Sequence, residues 1–175
     1  MLQRLITSPQ IRRLTGLFWF DLVWFVAVVG REPWLALAFS VALVQVLFSV
    51  RSPQFRWQHY TVLLGLGLAL EAVVVASGTL EFDGAGLLPW WLIALWCGFP
   101  AMAITTLDWL AGRYWLAALI GIAFGPLTYA AGVRLGAAEL LTEEWRMWLL
   151  YGVLWALYMV FFAGLMQRKR RVKHA

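Results

Sequence analysis

Six apolar runs separated by short polar segments restrict this chain more than any other feature of its sequence. A helix needs about 20 mostly apolar residues to cross the hydrocarbon core of a bilayer, within a range of about 17–25. The runs cover approximately residues 14–30, 33–50, 60–78, 89–107, 115–135 and 145–166. Their lengths predict an all-α fold, namely a polytopic membrane helix bundle with about six transmembrane helices.

The composition agrees with a chain that lipid must cover. Only 13% of the residues are charged, and the mean hydropathy is +0.77. A soluble domain carries about 25% charged residues, so this chain cannot surround itself with a polar surface. Cys97 is the single cysteine, which excludes an internal disulfide and a CxxC pair.

Positive charge collects at the ends of the apolar runs, which indicates membrane topology and argues against nucleic-acid binding. With six spans, one side receives Arg4, Arg12, Arg13, Arg51, Arg56 and the basic stretch 168–173. Cytoplasmic loops carry an excess of Lys and Arg, so both termini are expected in the cytoplasm. We therefore predict a cytoplasmic arm at 1–13, a single transmembrane domain at 14–166, and a basic cytoplasmic tail at 167–175.

Two carboxylates lie inside apolar runs, Asp21 in the first and Glu71 in the third. A charge at the bilayer centre costs about 2.5–3.5 kcal/mol on insertion scales, so each is expected to face the bundle interior, to be paired or to be protonated. Candidate partners for Glu71 are Tyr129, Asp21 and a deep tryptophan such as Trp96. Arg134, near the outer end of the fifth run, is a further candidate, and the five residues form the candidate intramembrane polar site. The site is either a proton or substrate site or a hydrogen-bonded structural anchor, and the sequence leaves both readings open.

The fifth run contains small residues and a proline that are unusual in an apolar helix. Gly121 and Gly125 are four residues apart, as are Gly132 and Gly136, and this spacing favours close helix packing. Pro126 here and Pro100 in the fourth run are expected to kink their helices, because proline lacks a backbone donor. The run is either a kinked packing helix or a broken helix that lines a substrate pocket.

Motifs of known enzyme classes do not occur in the sequence. There is no H-E-x-x-H, G-x-S-x-G, P-loop or dinucleotide-binding glycine pattern. The two histidines, His59 and His174, are far apart in the chain. We expect no catalytic residues, no metal site and no cofactor.

Two segments resemble the DUF2878 family of bacterial membrane proteins. They are "LPWWLIALWCGF" at 88–99 and "LIGIAFGPLTYAAGVRLGA" at 119–137. The matching positions are Pro89, Trp90, Leu95, Trp96, Gly121, Gly125, Pro126, Tyr129, Gly132, Arg134 and Gly136, and the resemblance extends over most of the chain. The family tends to have glutamine where Asp21 stands and aspartate where Glu71 stands, which favours Glu71 over Asp21 as the essential acid.

The resemblance implies a fold and a multi-pass location in the bacterial inner membrane, but no activity, because the family is uncharacterised. Its members are often encoded near enzymes that modify unsaturated acyl chains of phospholipids. The expected partners are therefore membrane lipids and a lipid-modifying enzyme or another membrane protein, and not nucleic acid.

Three functions remain open from the sequence. The favoured one is a non-catalytic membrane component that supports lipid or envelope modification. The second is a small carrier of a lipidic or apolar metabolite with a mid-membrane site at Glu71. The third is an intramembrane enzyme that uses Asp21 and Glu71 as acid and base, which requires that their two environments differ.

Overall fold

The computed structural model of the chain describes residues 9–172, and the secondary structure is almost entirely helical. The helices are α1 (Pro9–Gly30), α2 (Leu35–Val50), α3 (Trp57–Ala76), α4 (Trp90–Thr106), α5 (Tyr114–Arg134) and α6 (Glu144–Val172). Two short strands follow α3 and α5, β1 (Leu80–Phe82) and β2 (Ala138–Leu140). Short 3-10 turns at Glu32–Trp34 and Asp108–Leu110 precede α2 and α5.

Five of the six helices in residues 9–172 are long and apolar enough to cross a membrane. They are Gln10–Gly30, Glu32–Val50 (which includes the 3-10 turn), Trp57–Ala76, Tyr114–Arg134 and Glu144–Gln167. The shorter apolar helix is α4, with 17 residues. A helix satisfies its own backbone hydrogen bonds, as lipid requires. The prediction of an all-α fold of apolar helices is confirmed.

The first and last helices extend beyond the predicted transmembrane domain. α1 begins at Pro9, inside the predicted arm at 1–13, and α6 continues to Val172, inside the predicted tail at 167–175. Arg4 and Lys173 of these two segments lie outside the described residues. The placement of both termini in the cytoplasm remains a prediction.

Contacts divide the chain into two compact units. The first unit contains the described residues up to Leu64 together with Trp91–Trp109, and the second contains Gly65–Trp90 and the described residues from Leu110 onward. The boundary falls inside α3, whose beginning belongs to the first unit and whose end belongs to the second.

In the first unit, polar side chains donate to backbone carbonyls of neighbouring helices. Trp19 Nε1 on α1 donates to the carbonyl of Val41 on α2 over 2.9 Å. Tyr60 on α3 donates its hydroxyl to the carbonyl of Cys97 on α4 over 3.0 Å. Pro100 lies inside α4 and has no N–H to donate to the carbonyl of Trp96, four residues earlier. The Tyr60 hydroxyl donates to the carbonyl of the next residue, close to this gap in the helix hydrogen bonds.

In the second unit, α5 and α6 approach each other at two glycines. A Cβ atom built on Gly125 would lie 2.5 Å from Cγ of Trp155, and one built on Gly121 would lie 2.6 Å from the backbone carbon of the same residue. Real Cβ contacts are essentially never shorter than 3.0 Å, so a side chain at either position would force the helices apart. The glycines allow this short separation of the two backbones. Pro126 also lies inside α5, and its effect on the helix axis remains a prediction.

The predicted close packing is not found at Gly132, and at Gly136 it remains a prediction. A Cβ on Gly132 would have no neighbouring atom within 4 Å. Gly136 lies beyond the end of α5 with φ of 72°, a conformation that glycine adopts without strain. The N–H of Gly136 donates to Val133 and that of Ala137 donates to Gly132, the hydrogen-bond pattern of a Schellman cap. Gly136 therefore ends the helix. Its spacing of four residues from Gly132 does not distinguish a helix cap from a packing position.

The cap leads α5 directly into a two-stranded antiparallel ribbon. β2 pairs with β1 in the register Leu80↔Leu140, Glu81↔Glu139 and Phe82↔Ala138. Leu80 and Phe82 are buried, whereas Glu81 between them is exposed. The ribbon thus joins the segments that follow α3 and α5 and turns two apolar side chains inward.

Candidate intramembrane polar site

Glu71 lies at the centre of a hydrogen-bonded cluster inside the second unit. Its side chain, on α3, is 0% exposed. Tyr129 on α5 donates its hydroxyl to Oε1 of Glu71. Tyr151 on α6 donates its hydroxyl to Oε2 over 3.0 Å. Each carboxylate oxygen therefore accepts a hydrogen bond from a different helix, and three helices meet at one buried acid.

Aromatic rings surround this carboxylate. The rings of Tyr129 and Tyr151 are stacked, with centroids 3.5 Å apart and planes inclined by 14°. Phe82 of β1 lies on Tyr129 with its centroid 6.5 Å away. Trp155 and Tyr158 of α6 form a further aromatic pair, with ring centroids 5.6 Å apart. The polar atoms of the cluster thus lie in a shell of apolar carbon, where hydrogen bonds are stronger than in water.

The local sequence explains why the two tyrosines meet. Residues four apart lie on one face of a helix, so Gly125 and Tyr129 share a face of α5, and Tyr151 and Trp155 share a face of α6. In an antiparallel helix pair, a step of four residues forward along one helix corresponds to a step of four residues backward along the other. Gly125 contacts Trp155, and Tyr129 accordingly stacks on Tyr151. The small residues therefore position the tyrosine pair one turn further along.

The site lies about halfway between the middle and one end of its helices. Glu71 is five residues before the end of α3 at Ala76, and Tyr129 is five residues before the end of α5 at Arg134. At 1.5 Å per residue, each is about 7.5 Å from its helix end. The β1–β2 ribbon begins shortly beyond both ends, and Phe82 of that ribbon reaches the cluster.

The structure brings together two of the five predicted site residues, Glu71 and Tyr129. Asp21 is exposed on α1 in the first unit, so it does not face the interior, and its pairing or protonation remains a prediction. Arg134 is exposed at the last position of α5, and Trp96 is buried among the residues of the first unit. Asp21 lies on the exposed face of α1. The hydropathy of the run does not indicate which face of the helix is exposed.

Sequence reasoning missed Tyr151, the second donor to Glu71. A buried tyrosine usually hydrogen-bonds through its hydroxyl, and Tyr151 is a tyrosine inside the apolar run 145–166, which is the signal that could have indicated it. Its position four residues before the deep Trp155 places both on one helix face.

The chemistry open to this cluster is that of one carboxyl group and two phenols. Such a set can share protons among its oxygens or hold three helices in register through hydrogen bonds. Within residues 9–172, no group of three or more His, Cys, Asp or Glu side chains is arranged to hold a metal ion.

Comparison with known proteins provides one match. The model of a family described as "Protein of unknown function (DUF2878)" matches residues 13–161, a range that includes Glu71, Tyr129 and Tyr151. Neither a curated protein nor a solved structure matches the chain.

Proposed function

The chain belongs to the DUF2878 family, whose function is unknown, and we propose on the geometry of the Glu71 site that it is a non-catalytic integral membrane protein. In this proposal it supports lipid or envelope modification, and Glu71 holds α3, α5 and α6 together. The observation that carries the proposal is the complete burial of a carboxylate whose two oxygens both accept tyrosine hydroxyls.

A carboxylate that works on a substrate must present an oxygen to it. Here both oxygens accept tyrosine hydroxyls and the side chain is completely buried. Hydrogen bonds to charged groups contribute about 1.5–3 kcal/mol each, so exchanging them for a substrate would be costly. The arrangement favours a fixed anchor that satisfies an otherwise expensive buried acid.

The outer surface of the helices supports a location within lipid. Large apolar side chains point outward, and Trp115 is 87% exposed. Phe124 and Leu157 are exposed as well. Exposed apolar side chains of this size suit a membrane, and tryptophan near helix ends suits its interface. We propose membrane lipids and a lipid-modifying enzyme or other membrane protein as partners, and the bacterial inner membrane as the location.

The test combines two substitutions of Glu71 with a control. Glu71→Gln keeps one acceptor oxygen and adds an amide donor, so both tyrosines retain a partner. Glu71→Leu leaves the hydroxyls of Tyr129 and Tyr151 without an acceptor, at a cost of about 1–3 kcal/mol each. Glu81→Gln, on the exposed side of β1, removes the same charge outside the cluster and serves as the matched control.

The readouts are thermal unfolding in detergent and the phospholipid acyl composition of cells that lack the gene and carry each variant. We expect the deletion to change the acyl composition, and Glu71→Gln and Glu81→Gln to restore it. Glu71→Leu should unfold at a lower temperature and restore it poorly. A Glu71→Gln protein that is fully stable yet fails to restore the composition would contradict the anchor role and favour the carrier. An unchanged composition after deletion would contradict the lipid role.

A further inference from the structure

One end of the first unit carries four arginines in a small region. Arg12 and Arg13 lie near the start of α1, and Arg51 and Arg56 flank the loop between α2 and α3. Arg13 forms a salt bridge with Asp108, its Nη2 lying 2.9 Å from Oδ1. The remaining three, which we call the arginine cluster, are Arg12, Arg51 and Arg56.

Hydrogen bonds connect the arginine cluster to neutral groups. Arg12 Nη2 donates to Oε1 of Gln54 over 3.4 Å, and Gln54 also accepts from the hydroxyl of Ser52 in the same loop. Arg51 donates to the carbonyl of Leu47. Arg56 donates to the carbonyl of Phe55. The loop is thereby held against Arg12.

Within the described residues of the first unit, no acid forms an ion pair with this cluster. The sequence of the first unit contains three acids, Asp21, Glu32 and Asp108. Asp108 is paired with Arg13, Glu32 lies beyond the far end of α1, and Asp21 is nine residues along α1 from Arg12, about 13 Å. Among residues 9–172, the hydrogen bonds of the three arginines go to neutral oxygens. A guanidinium has five N–H donors, so each retains capacity to bind an anion.

We propose that the arginine cluster binds the headgroup of an anionic phospholipid, through its phosphate. Guanidinium groups match phosphate oxygens in geometry and charge. Exposed apolar side chains lie beside the cluster on the same helices, including Leu14, Leu47 and Trp57. A free phosphate would leave these side chains uncovered, whereas acyl chains below a bound headgroup would cover them. Clusters of basic residues at the ends of membrane helices attract anionic headgroups.

The expected strength follows from the charge count. Each arginine near an anionic surface contributes roughly a fivefold gain in affinity. Removing all three should lower the preference for an anionic lipid on the order of a hundredfold. Because the attraction is between charges that face water, added salt should weaken it as well.

The experiment uses the full chain purified in an uncharged detergent. An equimolar mixture of phosphatidylglycerol and phosphatidylcholine is added, and bound lipids are counted by native mass spectrometry. The test variant is Arg12→Gln/Arg51→Gln/Arg56→Gln. The control variant, Arg31→Gln/Arg134→Gln/Arg146→Gln, removes the same number of charges from other parts of the chain. Thermal unfolding verifies that both variants are folded.

We expect the unmodified chain and the control to prefer phosphatidylglycerol, and the test variant to lose that preference. A folded test variant that keeps the preference overturns the proposal. Equal losses in both variants also overturn it, because they would indicate a response to net charge alone. Displacement of the lipid by millimolar inorganic phosphate would overturn the choice of a lipid over a free anion. These outcomes do not depend on Glu71, so they are separate from the test of the proposed function.

Discussion

The contact between α5 and α6 predicts that a single added methyl group at Gly121 destabilises the protein. A Cβ at this position would lie 2.6 Å from the backbone carbon of Trp155 and 2.8 Å from the backbone nitrogen of Ala156. Ordinary contact begins at 3.4 Å, so the first distance is 0.8 Å too short. Backbone atoms cannot rotate away as a side chain can, and the two helices must separate.

The magnitude combines two opposing effects. Overpacking a well-packed contact costs about 1–3 kcal/mol, and a backbone neighbour places this case near the upper end. Alanine is better than glycine in a helix by up to about 1 kcal/mol. The net loss for Gly121→Ala is therefore about 2 kcal/mol, which lowers the unfolding temperature of a chain of this length by roughly 4–8 °C.

Gly132→Ala is the matched control, because it adds the same methyl group to the same helix. No atom lies within 4 Å of the added Cβ, so the variant should unfold at the unmodified temperature or slightly above it. Thermal unfolding in one detergent, followed by tryptophan fluorescence, compares the three proteins. The reasoning is refuted if Gly121→Ala is as stable as the unmodified chain, or if Gly132→Ala loses as much stability.

Three further predictions concern other contacts. Tyr151→Phe removes a hydroxyl donor from buried Glu71 and should cost about 1.5–3 kcal/mol of unfolding free energy, and unchanged thermal stability would contradict this. The Arg13–Asp108 pair, with side chains 34% and 11% exposed, should contribute about 0–1 kcal/mol, and a double-mutant cycle with a coupling above about 2 kcal/mol would contradict this. A reporter that works only in the cytoplasm should be active when fused after Ala175, and activity of a periplasmic reporter there would reverse the predicted topology.

The apolar runs alone predict the class of fold and the approximate limits of the helices. The third apolar run predicts a helix at 60–78, and α3 is Trp57–Ala76. The fifth predicts 115–135, and α5 is Tyr114–Arg134. These limits follow from chain composition, because a long apolar segment must pair its backbone groups internally wherever it contacts lipid. A carboxylate within such a segment, as at Glu71, is also visible without a structure, since acids inside apolar runs are rare and costly.

Two features depended on pairing between distant segments. β1 and β2 have three residues each, too short for an alternating pattern to be recognised, and they exist through hydrogen bonds to each other. Gly121 and Gly132 look alike in sequence, yet one contacts the backbone at Trp155 and the other has open space around it. The neighbouring helix makes that difference.

The direction in which each helix faces was decided only by the tertiary structure. In a soluble protein, the polar side of a helix marks the face that points away from the core. In a membrane helix, the core and the surrounding lipid are both apolar, so the sequence carries little information on which side is buried. Packing therefore decided that Asp21 is exposed while Glu71 is fully buried, and that Tyr151, an ordinary residue of an apolar run, donates to it.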